Sequence, residues 1–166
     1  MTRAAGSKAA GSTREAILAA AASEFAAHGF AGASVDSIAA QSGFNKAMIY
    51  YHFKGKQALY VEILRDVFRL MGARTGEIAA SDREPGEKIA AFIEALDDMA
   101  ATRPYMPAMM MREMAEGATR LDLDTIRLMA RIFGNLRLIL DDGARRGAFR
   151  PMNPLHAYPT LLSPVI

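Results

Sequence analysis

Apolar side chains recur along this chain at spacings of three and four, the period of an amphipathic α-helix, and nowhere alternate long enough to make a strand. Ile17, Ala21, Phe25 and His28 form the first stripe. A capping box, Ser12-Thr13-Arg14-Glu15, opens that helix, and Gly29 supplies the left-handed stop. Ser34 caps a second, short helix that turns Val35, Ile38 and Ala39 inward and ends at Gly43. Asn45 caps a third, running to about Phe53 before Lys54-Gly55. The run from Met48 to Phe53 favours a strand by propensity, but caps bracket it and Ile49 and Phe53 share a helical face, so a helix is predicted.

Leu59, Ile63, Leu64, Val67, Phe68 and Met71 give a long fourth helix from Gln57 to about Ala80, interrupted by Glu84-Pro85-Gly86. Ile89, Phe92, Ile93, Leu96 and Met99 mark a fifth, to about Thr102. Pro104 suits a first helical position and opens a short sixth to Glu116, with Pro107 tolerated in its first turn. Leu121 to Ala144 makes a seventh, punctuated by Gly143, Gly147 and Pro151, and an eighth begins near Pro154. The chain is therefore all-α.

Composition narrows the class. With 166 residues and 51% hydrophobic positions the chain can bury a core, which excludes a disordered tail protein. It has no Cys, which excludes disulfide scaffolds, Cys-type zinc sites and thiol nucleophiles. No uncharged apolar run approaches the ~18 residues that would cross a bilayer, and residues 1–12 hold no apolar signal core, so no membrane association and a cytoplasmic location are expected. Residues 1–11 are rich in Ala, Gly, Ser and Lys without an apolar period, and are expected to form a flexible basic arm.

Charge divides the chain. Residues 1–60 carry Arg3, Lys8, Arg14, Lys46, Lys54 and Lys56 against Glu15, Glu24 and Asp36, and from Ser37 to Tyr60 there is no acid. Such a local excess favours a polyanion. In the same stretch, Ala39 is small enough for two helices to cross closely, Gly43 accepts positive φ, and Ile38, Phe44, Ile49 and Phe53 are apolar inward. That is the spacing of a helix-turn-helix. At about 100° per residue from Lys46, Ile49 and Phe53 fall near 300° and 340°, whereas Ala47, Tyr51 and Met48 fall near 100°, 140° and 200°. The third helix thus turns a non-acidic face outward, sized for the major groove of B-DNA. Tyr50, His52, Lys54 and Lys56 flank it as phosphate ligands, and the amides opening the fourth helix near Gly55 add an anion site.

At these residues the sequence resembles the TetR family of bacterial transcriptional repressors. The resemblance runs over about residues 12 to 60 and is carried by Ser34 to Lys56, preceded by a first helix ending in His28-Gly29-Phe30. It implies that Lys46, Ala47, Met48 and Tyr51 read bases, that Tyr50, His52 and Lys56 bind phosphate, and that Ser34 and Val35 touch the DNA backbone. Three positions depart from the family pattern: Asp36 stands where relatives place a base-reading basic or polar residue, Ser42 precedes the turn Gly, and Ala47 replaces a frequent Gly. The resemblance further implies a homodimer on a palindromic operator, with half-sites ~34–36 Å apart, closed by C-terminal helices of which the eighth is expected to be incomplete at Ile166. Three domains are expected: the arm at 1–11, a helix-turn-helix DNA-binding domain at 12–55, and a helical effector-binding and dimerisation domain at 56–166.

Tyr105, Met106, Met109, Met110, Met111 and Met114 make a Met-rich sixth helix. Met packs irregular gaps, and core filling is the simplest account of it. The functional alternative is an adaptable wall for a small apolar effector, built from Tyr105, Met106, Met109, Met110 and Met114 with Phe92, Leu96, Met99, Ile126, Met129 and Phe133. No catalytic constellation is present. Asp97-Asp98 and Asp141-Asp142 are adjacent on helices and diverge by about 100°, and His28, His52 and His156 are too scattered for a metal, so neither metal nor cofactor is expected. The reading is a ligand-responsive repressor rather than an enzyme. The alternative is an all-α small-molecule-binding protein or enzyme with a non-functional helix-turn-helix appendage.

Overall fold

The computed structural model describes residues 3–162, with side chains from 13 to 161. Eight helices follow one another: α1 (Arg3–Gly32), α2 (Val35–Ser42), α3 (Lys46–His52), α4 (Lys56–Ala80), α5 (Pro85–Thr102), α6 (Met106–Ala115), α7 (Leu123–Arg145) and α8 (Pro154–Leu162). No strand occurs among the described residues, and none of their helices is long and apolar enough to cross a membrane.

Local chemistry sets most boundaries. The Ser34 hydroxyl accepts the Ser37 N–H at 3.0 Å to open α2, and Gly43, at φ 75°, ends it. The Asn45 side chain accepts the Met48 N–H at 2.9 Å to open α3, so the strand-prone run is helical as expected. Asp122 caps α7 through the Thr125 N–H at 2.9 Å. Three helix starts differ from expectation, one of them α7, which opens at Leu123 and not Leu121. Helix α1 starts at Arg3, so residues 3–11 are not a separate arm; the Ala-rich stretch has enough helix propensity to carry the turn past Gly6 and Gly11. Ser12 then lies inside the helix rather than at its cap, and its side chain falls outside the described set. Pro104 lies in a turn, and α6 begins at Met106.

The helices sort into two compact units, one holding the chain to Leu64 together with Ala108–Arg120, the other Arg65–Pro107 with the chain from Leu121 on. The first unit therefore extends past the expected boundary at 55 and takes in a distant segment. Its core is Ile17, Ala21, Phe25, Ile38, Ile49, Phe53, Leu59 and Leu64, all buried. Ala108–Arg120 joins it through polar bonds. The Arg112 guanidinium donates to the Phe25 and Ala26 carbonyls at 3.0 and 2.6 Å, the Tyr60 hydroxyl to the buried Glu113 carboxylate at 2.8 Å, and the Gln57 amide to the Arg120 carbonyl at 2.5 Å. Gly29, at φ 68°, breaks the regular turn of α1 just beyond those two carbonyls.

The second unit packs Val67, Phe68, Met71, Phe92, Leu96, Ile132, Leu136 and Ile139 in its interior. Within it, α4 and α7 meet through Asn135, whose amide donates to the Gly72 carbonyl at 3.0 Å and the Thr75 hydroxyl at 2.9 Å. Burial pushes the Tyr158 phenol up to about 12.

Candidate nucleic-acid interface

The first unit is built to hold α3 still. Ile49 is fully buried and Phe53 nearly so, which anchors the underside of the helix. With that face fixed, Lys46 and Ala47 are exposed, Met48 is half-buried, and Tyr51 is 81% exposed. Tyr50, 55% exposed, stands on the flank with Lys54 exposed beyond it. Tyr50 and Tyr51 together leave two aromatic rings open beside an acid-free helix, a surface that suits contact with another molecule.

Two acids shape this surface. Glu24 on α1, 3% exposed, accepts the Ser34 N–H at 3.2 Å and the Gln41 side-chain N–H at 2.7 Å, tying α1 to both ends of α2. Burial raises its carboxyl pKa, but the bonds from Ser34, Ser37 and Gln41 and the nearby His28 outweigh that and hold it below the usual range. Asp36, in the first turn of α2, meets the Lys46 ammonium at 2.5 Å. The hydrogen bond that the Lys46 ammonium donates to Asp36, together with the Asp36 charge, lifts the Lys46 pKa above its ordinary value. Neither role was legible from spacing, because each depends on backbone and side-chain groups brought together only by the crossing of the helices.

Four of the expected phosphate ligands are placed otherwise. The Lys56 ammonium donates to the Phe30 and Ala33 carbonyls at 2.8 and 3.0 Å and stands over the Phe30 ring at 4.5 Å, so its donors close the end of α1 instead of facing solvent. The His52 Nε2 is enclosed with no hydrogen-bond partner among the described residues, and the ring lies edge-on to Tyr51 at 5.2 Å. The Ser34 hydroxyl and N–H are both engaged, in the α2 cap and with Glu24, and Val35 is half-buried. Tyr50 and Lys54 remain open.

The Met-rich wall is also redistributed. Phe92, Leu96, Met106 and Met109 are buried as core, Met114 is 44% exposed, and Tyr105, Met110, Ile126, Met129 and Phe133 are half-buried, with Phe133 against the Tyr158 ring at 4.6 Å. Met109, Met110 and Met114 belong to the first unit and the others to the second. Within the second unit a groove of about 760 Å³ runs between α4 and α5, and of the expected wall only Met99 lines it. Helical periodicity identifies apolar positions but does not separate those that fill a core from those that line a cavity.

Two short helices joined through a left-handed Gly43, the second turned outward over a buried underside, form the arrangement of a helix-turn-helix DNA-binding domain. Comparison with known proteins agrees. The family model of bacterial regulatory proteins of the tetR family matches residues 17–63. The transcriptional regulator RutR of Escherichia coli is 27% identical over 157 residues, covering 90% of this chain and 70% of that protein. The transcriptional repressor NicS of Pseudomonas putida is 26% identical over 140 residues, covering 83% and 66%. The structure of the TetR-family regulator PfmR from Thermus thermophilus is 30% identical, with a TM-score of 0.72 over 89% of this chain and 80% of that one. HlyIIR, a haemolysin II transcriptional regulator, shares the fold at a TM-score of 0.79. The chain belongs to the TetR family of transcriptional regulators.

Proposed function

We propose that this protein is a ligand-responsive repressor that binds a palindromic operator as a homodimer and lets go when a small effector occupies its second unit. The observation that carries the DNA-reading part is the exposure of Lys46, Ala47 and Tyr51, with Met48 half-buried among them, above a buried Ile49 and Phe53. In this reading Lys46, Ala47, Met48 and Tyr51 contact base edges, and Tyr50 and Lys54 hold phosphates. Lys56 keeps the end of α1 closed, so it acts on the interface through the fold. Two relatives described as repressors, NicS and SCO4008 of Streptomyces coelicolor, support the negative sign of regulation.

The α4–α5 groove is the site proposed for the effector. Leu70, Ala73, Ala95 and Met99 give it apolar lining, while Arg74 and Asp98, paired at 2.8 Å, add charge. An effector with an apolar body and a polar end fits that lining. Release requires only that it bind the DNA-free state better, with typical coupling of about 1–3 kcal/mol.

The test is fluorescence anisotropy of the full chain on labelled duplexes tiled across the DNA flanking its own gene. One duplex is expected to bind far more tightly than random DNA, with log affinity falling steeply with log salt, by about 0.9 per phosphate neutralised. Equal affinity for every duplex refutes the operator. For the effector, compounds that raise the melting temperature are added to the complex, and Ala73→Trp, at an exposed position of the groove lining, is expected to abolish their response. An unchanged response in that variant removes the groove from the proposal.

A further inference from the structure

Asp36 is the sole acid between Glu24 and Glu62 in the sequence, and it stands beside the recognition helix. Its side chain is 73% exposed, as is 52% of Lys46, and the two meet at 2.5 Å. A carboxylate brought against a duplex is repelled by the phosphates whatever the sequence. On the duplex itself, only an amine donor on a base edge can answer that carboxylate, and the major groove offers two, cytosine N4 and adenine N6.

Lys46 decides between them. An ammonium is best placed where acceptors lie side by side, and guanine presents O6 and N7 together. Guanine O6 also lies one hydrogen bond, ~2.9 Å, from N4 of its paired cytosine. A lysine and a carboxylate already in contact can therefore settle on one G·C edge, donor to guanine and acceptor to cytosine, without separating their charges. On an A·T edge the N6 donor separates the acceptors N7 and O4, so the ammonium of the couple meets one acceptor where guanine offers two, and the thymine methyl stands beside O4.

Resting on the DNA-reading role proposed above, we infer that Asp36 and Lys46 act as one unit that reads a G·C pair in each operator half-site, with Asp36 setting the specificity. The full chain and its variants Asp36→Asn and Asp36→Ala are each used to select from randomised palindromic duplexes, and the bound fractions are sequenced. Affinities are then measured for the selected duplex and for its single-pair change from G·C to A·T. The unaltered protein is expected to hold one G·C pair per half-site and to lose at least tenfold on that change. In Asp36→Ala the loss should fall below about threefold, with tighter binding to random duplex as the repulsion is removed. Asp36→Asn, which keeps the side-chain shape and can pair with adenine N6 and N7, should move the preference toward A·T. It carries the test if Asp36→Ala melts early. Identical base preferences in all three proteins overturn the inference, as does a uniform gain in affinity across sequences, which would leave Asp36 a purely repulsive charge. If the unaltered protein enriches no sequence at all, the DNA-reading role falls and this inference with it, so the two failures are told apart.

Discussion

Tyr51 lies on α3 and Lys54 just beyond its end, and the two are expected to fail differently when truncated. Tyr51 offers a broad amphipathic surface with its ring exposed, whereas Lys54 offers a point charge. Tyr51→Ala should weaken a selected operator at least tenfold and random duplex hardly at all. Lys54→Ala should weaken both alike and reduce the salt slope by about one. Equal losses for the two variants on both DNAs would refute this division. Glu24 gives a second measurement at the same scale. Because its carboxyl is held below the ordinary value of 4.5, the stability it contributes is present above that pH and lost as pH falls through the lower folded value. Glu24→Gln should therefore cost stability at pH 7, and chemical denaturation of the two proteins should converge in acid below about pH 4.5. A gap that widens in acid would contradict the assignment.

Among elements, the short helices depend most on their caps. Helix α3 has two turns, and its Asn45 cap satisfies an amide that the helix itself cannot. Asn45→Ala should cost about 1 kcal/mol of unfolding free energy and loosen DNA binding without altering base preference, as read by denaturation and by selection. Such caps were legible in the sequence because they act within three residues: Ser34, Gly43 and Asn45 do what their spacing predicts. Lys56 was misread because a lysine after a helix-turn-helix has the same spacing whether its ammonium meets phosphate or the Phe30 carbonyl. The start of α1 was misread because a capping motif is only local, and an Ala-rich run upstream can carry a helix through it. The Met-rich helix was legible as apolar, but its division into core, surface and different units is a property of tertiary packing.

On the scale of the whole molecule, the DNA-reading unit is completed by a segment far along the chain. Arg112 supplies donors to two carbonyls just before the break at Gly29, and Arg120 lies over the Phe30 ring at 5.0 Å. Burial and the Glu113 bond push the Tyr60 phenol far above its usual value, so the Tyr60–Glu113 contact keeps its hydroxyl proton at any working pH. Arg112→Ala should lower stability by about 1–2 kcal/mol and speed hydrogen exchange at the end of α1, measured on the full chain. Unchanged exchange there would show that water serves those carbonyls as well.

This arrangement governs how the reading head can be borrowed for other uses. A graft that copies only the opening 64 residues leaves Tyr60 facing water and two carbonyls stripped of their guanidinium. Residues 108–120 must travel with it, spliced through a linker, if a transplanted head is to keep its grip.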